Sequence, residues 1–339
     1  MKEYGSDFHY IEACGNSNTV FNIFPDAAYL ANGRQAIQLL IFYQKWKRIW
    51  MPEYFCYDII ASIKETGIEV LFYDDLPTES NDTLLISKLK FKHGDVLFRM
   101  NYFGLRHFRS NKEIPVPVIE DHSHSLTGNW TLKSNADWCI ASLRKSLPVA
   151  QGGMLWSPKG YSLPKLPSQN EKNLMLAQKR WRAMHLKMEY LNNEISDKSE
   201  YRSLFLTTEN DFSNLPISPI ADTDKEYLSR CNVVEWNLKK KTNWQILSEI
   251  RSSDIEVLKG ETTECQPFSF IILCKTKALR NKIKESLVKN NVYPAILWSI
   301  PSSSSLKSQD IGKRILSITC DGRYTKQDMV QLRHIINKI

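Results

Sequence analysis

The chain has 339 residues, with 42% hydrophobic and 24% charged, the proportions of an ordinary globular protein too large for a single core. Lys and Arg outnumber Asp and Glu by 45 to 37, a net charge of +8, but the basic runs at 45–48, 179–182 and 239–241 fall on expected helix faces and lack an RNA module's aromatic pattern. Seven scattered cysteines without a CxxC pair argue against a disulfide frame or zinc site, and no apolar leader or run of roughly 18 apolar residues is present, so the expectation is a cytoplasmic protein with no nucleic-acid, membrane or metal partner.

After a polar N-terminal arm, Asn32-Gly33-Arg34 opens the segment 35–43 (QAIQLLIFY), whose apolar spacing predicts a buried helix. A glycine at a helix start leaves backbone N–H groups free. Residues 48–51 (RIWM) read as a strand, 52–55 as a turn and 56–66 as a helix ending near Gly67. Further strands are expected at 68–73, 95–100, 116–119, 138–142 and 153–157. Strands alternating with helices predict an α/β fold with a mainly parallel sheet covered on both faces, and ligands in such sheets bind beyond the strands' carboxyl ends. Residues 170–250 turn helical and charged, most clearly at 173–190. The last hundred residues predict a smaller α+β domain: strands at 268–274, 293–297 and 315–319, and helices at 277–290 and 326–336. The expected organisation is therefore a large domain, with its N-terminal arm, over 1–235 and a small C-terminal domain over 236–339.

Phe55, Asn101, Asp121 and Lys145 each follow an expected strand and so converge at one edge of the sheet. Asp121 stands just after the 116–119 strand, and Lys145 lies 24 residues later, near Ser142, Arg144 and the pair Gly152-Gly153. A carboxylate and a lysine in these places are what a pyridoxal-phosphate site needs. The acid holds the pyridine nitrogen protonated and the lysine carries the cofactor as a Schiff base. His122 and His124 have no third metal ligand at suitable spacing.

The segments LANGRQAIQLL, MPEYFCYDII, GIEVLFYD, NYFG, VIEDHSHSL, SLRKSLPVAQGGML, KKTNWQIL, VYPAILW and ILSITCDGRYTKQDM span nearly the whole chain. In this order they resemble the DegT/DnrJ/EryC1/StrS sugar aminotransferases, a group of fold-type-I pyridoxal-phosphate enzymes. The resemblance implies the fold-type-I architecture, with a seven-stranded sheet, and a homodimer with its sites between subunits. It implies pyridoxal 5′-phosphate bound by Gly33, Arg34, Gln35 and Ser142 at the phosphate, Asp121 at the ring nitrogen and His124 at the 3′-oxygen. Lys145 carries the cofactor and moves the proton. Phe55 or Tyr54 stacks on the ring, although strict alignment on Pro52 puts Cys56 there, and Asn101 and Tyr102 line the substrate pocket. Arg323-Tyr324 and Asn243-Trp244 are read as structural. The activity implied is transfer of an amino group from glutamate or glutamine to a nucleotide-linked keto sugar. Some relatives that dehydrate sugars carry histidine in place of the lysine. Another pyridoxal-phosphate reaction, such as a dehydratase or lyase, and a binding or regulatory protein retaining the fold are the alternatives. Two departures stand out. Arg34 and Gln35 replace the hydroxyl residue usual after the glycine, and the partner's Asn-Tyr-Arg hairpin has only Tyr201-Arg202 as a faint counterpart.

Overall fold

The computed structural model describes every residue except 1, 14, 16, 80, 81, 213, 214 and 339. Its central sheet runs in the order Ala28–Leu30, Gly153–Trp156, Trp138–Ser142, Val118–Asp121, Asp95–Met100, Arg48–Pro52, Glu69–Tyr73. All pairings are parallel except the two made by Gly153–Trp156. The middle strands read as near-continuous apolar runs because both of their faces are covered. Alternation divides them between two cores. Val96, Phe98, Met100, Ile119 and Ile140 pack on one side, and Leu97, Val118, Cys139 and Ala141 on the other.

Two strands differ from expectation, each for a backbone reason. The strand expected at 116–119 begins at Val118 and ends on Asp121 itself. Pro115 and Pro117 cannot donate to a ladder, and the N–H that follows them, that of Val118, goes to the Asp137 side chain at 2.8 Å. The strand expected at 293–297 is confined to Val292–Tyr293, which pairs in parallel with Tyr4–Gly5 of the N-terminal arm before Pro294 interrupts it. Ala295 makes only an isolated bridge to Ser317.

A second, antiparallel sheet joins Ile255–Val257, Phe270–Cys274 and Ile315–Ile318. Its alternation fixes its position. Phe270, Ile272, Leu316 and Ile318 face a core closed by the helices Lys277–Lys289 and Lys326–Asn337, whereas Ile271, Leu273 and Ile315 join the core of the main sheet. The C-terminal part is therefore anchored against the carboxyl edge of the large sheet by shared apolar contact.

Buried charges are paired, those of Arg99 and Glu120 on the sheet face opposite Asp121. Arg99 grips Asp82 at 2.7 and 2.9 Å, and Arg106 grips Asp75 at 2.5 and 2.8 Å. Asn111 links Arg99 to Glu120, which holds His122 at 3.0 Å. Burial would raise the Glu120 carboxyl, but His122, Arg99 and Asn111 outweigh it and hold it below the usual range. Glu120, His122 and Cys139 offer ligand atoms within 4.8 Å of one another, yet all three are engaged in this network, Cys139 through Ser134.

One buried carboxyl is not neutralised by a close cation. Asp224 accepts the Ala150 and Gln151 N–H groups at 3.0 and 2.9 Å, which fixes the chain just before Gly152-Gly153, and burial pushes its pKa up to about 7. A folded pKa above the unfolded 3.8 means that folding binds a proton between pH 3.8 and about 7, so this group's contribution to stability is present at low pH and lost as pH rises. Asp224→Asn should therefore gain on wild type by up to about 1.4 kcal/mol per pH unit over that window and level off above it, as urea unfolding at several pH values would show. A pH-independent difference would contradict the assignment.

Candidate active site

The carboxyl ends of the parallel strands carry the expected residues to one place. Asn32 caps the helix Gly33–Gln44, its side chain accepting from Gln35 N–H at 2.9 Å. Asp121 ends its strand, and Ser142 ends the next, leading into the single turn Leu143–Lys145. Gly33, Arg34, Asp121, Ser142, Arg144 and Lys145 line one cavity of about 50 Å³. It shares Arg34, Ile59, Arg144 and Lys145 with a cleft of about 960 Å³, walled by the helix Ser199–Asp211 and by Trp298.

Ser123 ties the acid to the lysine. Its N–H donates to Asp121 Oδ1 at 2.8 Å, its hydroxyl accepts from Ser142 N–H at 2.8 Å, and its carbonyl accepts from the Ser146 hydroxyl at 3.0 Å. Trp236 Nε1 donates to the Ser146 carbonyl at 2.8 Å and fixes the far side of the loop. Lys145 makes no hydrogen bond or ion pair within the described residues, and it borders three cavities.

The other end of the cavity is rich in unused donors. Asn32 Nδ2, Arg34 Nε and Nη1 and Arg144 Nε are buried without a partner among the described residues. A side chain at Gly33 would bring its Cβ to 3.1 Å from Ser142 Cβ, so glycine lets the helix start approach the strand end. Unpaired donors beside a helix N-terminus fit a phosphate group. The residues present thus suit pyridoxal phosphate at both ends, a carboxylate at one and an anion seat at the other. The seat already meets a carboxylate: Arg144 holds Glu209 at 2.8 and 2.9 Å, and Arg180 reaches it at 3.3 Å. Burial would raise the Glu209 carboxyl, but Arg144, Arg180 and Arg34 together hold it below its usual range.

The remaining expected residues stand around the cavity rather than in it. Gln35 spends its amide on Pro216, Asn173 and Ser218. Phe55 packs edge-on against Phe98 at 5.3 Å and tilted against Trp298, while Cys56 and Ile59 reach the cleft. Tyr102 donates to the carbonyls of Tyr54 and Asp75 and carries Arg106 over its ring. Asn101 is buried with its Oδ1 unpartnered, and its N–H donates to the Asp121 carbonyl. His124 stacks on Phe268 at 4.3 Å and Phe103 at 5.6 Å, and its Nδ1 accepts from Phe103 N–H at 3.2 Å. Burial, then the charges of Lys145 and Lys240, push it well below its usual pKa, so it is neutral and carries its proton on Nε2. Tyr201 and Arg202 wall the larger cleft from within the same chain.

Sequence reasoning passed over Ser123, Asn32, Arg180, Glu209 and Lys240. Ser123 sits inside the quoted DHSH stretch and Asn32 immediately before Gly33, so adjacency was the available signal. The others come from distant helices and left none.

A mainly parallel seven-stranded sheet with a small antiparallel sheet against its carboxyl ends is an arrangement shared with solved aminotransferase structures. No family model matches the chain, and no curated protein matches it in sequence. Solved structures do. Helicobacter pylori PseC, an aminotransferase involved in the biosynthesis of pseudoaminic acid, superposes over 99% of both chains with a TM-score of 0.64 at 12% identity. The PLP form of a putative sugar aminotransferase from Streptococcus pneumoniae covers 100% of this chain and 98% of its own, with a TM-score of 0.63 at 10% identity. NtdA from Bacillus subtilis, with bound cofactor PMP, covers 96% of this chain and 78% of its own, with a TM-score of 0.60 at 12% identity. At these identities the likeness is one of fold. No helix of the described residues is long and apolar enough to cross a membrane.

If Glu209 neutralises the anion seat, Glu209→Gln should bind inorganic phosphate roughly two- to fivefold more tightly than wild type in a calorimetric titration, the scale expected for a half-exposed ion pair. Equal or weaker binding would show that the arginines do not form the seat.

Proposed function

We propose that the protein is a pyridoxal-phosphate-dependent aminotransferase that moves an amino group from glutamate or glutamine to a nucleotide-linked keto sugar. The observation that carries this reading is one cavity lined by Asp121 and Lys145 together with Asn32 and Arg34, whose side chains keep unpaired donors. The sugar aminotransferase names of the structural neighbours support it.

When bound, pyridoxal phosphate supplies an electron sink for the charge left as a proton departs from the carbon bearing nitrogen. Asp121 uses one oxygen on Ser123 and offers the other to the ring N–H. Gly33, Arg34 and Ser142 would hold the phosphate end, while Gln35, whose N–H is taken by the Asn32 side chain, would act by holding the helix start in place through its side chain. His124 would offer its neutral Nε2–H to the 3′-oxygen. Lys145 Nζ would hold the cofactor at rest and, once released, would take the proton from the donor's α carbon. In the second half it returns a proton to the former ketone carbon of the sugar. The ring face is assigned to the 54–56 stretch, where Phe55 supports and Cys56 reaches the cleft. Asn101 and Tyr102 shape the substrate side, Tyr102 from below. The cleft's about 960 Å³ matches the upper range of small-molecule sites, roughly 300–1,000 Å³, as a nucleotide-linked sugar requires. A cytoplasmic homodimer, with the partner covering this cleft, completes the proposal, together with a large domain over 1–235 and a small one over 236–339.

Absorbance tests the reading. Protein mixed with pyridoxal phosphate should develop a band near the visible edge, lost in Lys145→Ala, and glutamate or glutamine should convert that band to the pyridoxamine form. A stable band that neither amino acid changes would contradict amino transfer.

A further inference from the structure

On the far side of Lys145 lies another cavity, of about 180 Å³, lined by Lys145, Lys240, Phe268, Thr319, Asp321 and Arg323 among others. Lys240 comes from the helix Val233–Leu247 and is only 2% exposed. Its neighbours in the KKK run are accounted for. Lys239 pairs with Glu235 at 2.9 Å, and Lys241 donates to the Thr263 carbonyl. Lys240 has no hydrogen-bond or ion-pair partner among the described residues.

The charged groups around it do not fill that need. Asp321 spends Oδ1 on Arg323 Nε at 2.9 Å and Oδ2 on Arg323 Nη2 at 2.9 Å and the Thr319 hydroxyl at 2.7 Å. The Cys320 thiol is buried and pushed far up, so it is neutral, and His124 on the other flank is neutral too. The cavity therefore carries Lys145, Lys240 and Arg323 against one carboxylate. A buried cation left without a partner is strongly unfavourable, and an anion entering the cavity relieves it.

We propose that Lys240 seats a carboxylate of the amino donor, making this cavity the place where a small dicarboxylic amino acid is recognised beside Lys145. The inference rests on the aminotransferase reading and names its donor class from this chain's own residues. At about 180 Å³ the cavity is below the roughly 300 Å³ where drug-sized ligand sites begin, so it suits a small acid and not a nucleotide diphosphate. The cation comes from a helix packed under the C-terminal sheet, so the C-terminal part takes a direct share in donor choice.

The test is a calorimetric titration of glutarate, an unreactive dicarboxylate, into cofactor-loaded protein. Lys240→Met should weaken glutarate at least tenfold, and Lys240→Arg should stay within about threefold of wild type. Both should keep the cofactor band and wild-type affinity for UDP. In the wild type, glutarate and not UDP should also protect Lys240 from acetic anhydride labelling, read by mass spectrometry, a measurement that needs no variant to fold. Unchanged glutarate affinity in Lys240→Met, equal labelling of Lys240 with and without glutarate, or protection by UDP alone would overturn the inference while leaving the cofactor band, and so the aminotransferase reading, untouched. If the wild type forms no cofactor band, that reading fails, while glutarate protection of Lys240 in unloaded protein still decides whether the carboxylate seat exists.

Discussion

The candidate site depends on one small residue. Ser123 receives and donates the hydrogen bonds that set Asp121, Ser142 and Ser146 relative to one another. The acid belongs to one strand end and the lysine to the loop after its parallel neighbour, and neighbouring strands alone leave such loops free to diverge. Three bonds of 2.8 to 3.0 Å through a buried residue remove that freedom. Trp236, Asp224 and Gly152-Gly153 then hold the lysine loop from the other side.

Around this clamp the charges divide into two populations. Arg99, Arg106, Asp75, Asp82 and Glu120 are buried and tied into ion pairs and hydrogen bonds that fix structure. Around the cavity the balance is incomplete. Among the described residues Arg34 keeps two unpaired nitrogens, Lys145 and Lys240 have no partner, and Glu209, the carboxylate that meets Arg144, is half-exposed on a helix that walls the cleft. Unsatisfied buried donors are unfavourable in a folded protein, and those of Asn32, Arg34 and Arg144 stand together beside one cavity, where an anionic ligand would satisfy them.

Much of the fold was legible because buried parallel strands and amphipathic helices write their periods directly into sequence. The segment 95–100 matches its strand, and 173–190 lies inside the helix Glu171–Leu191. The strands at 116–119 and 293–297 were displaced or cut because proline removes ladder donors, an effect a hydrophobic pattern does not register. At the site, Asp121, Lys145, Gly33, Arg34 and Ser142 share one cavity because strand ends in a parallel sheet converge by topology. Phe55, Gln35 and Tyr102 do not line it: successive residues after a strand end or at a helix start point to different sides, and which side faces the cavity depends on packing. Lys240 shows the limit most plainly. Three successive lysines look alike in sequence, and only the helix's rotation against the core buries the middle one.

The central claim is that Lys145, positioned by Ser123, is the residue that carries the cofactor. Borohydride reduction of protein mixed with pyridoxal phosphate, followed by peptide mapping, tests it most directly. The account predicts a single stable pyridoxyl label on Lys145. A label on Lys240, or none on either lysine, would contradict it.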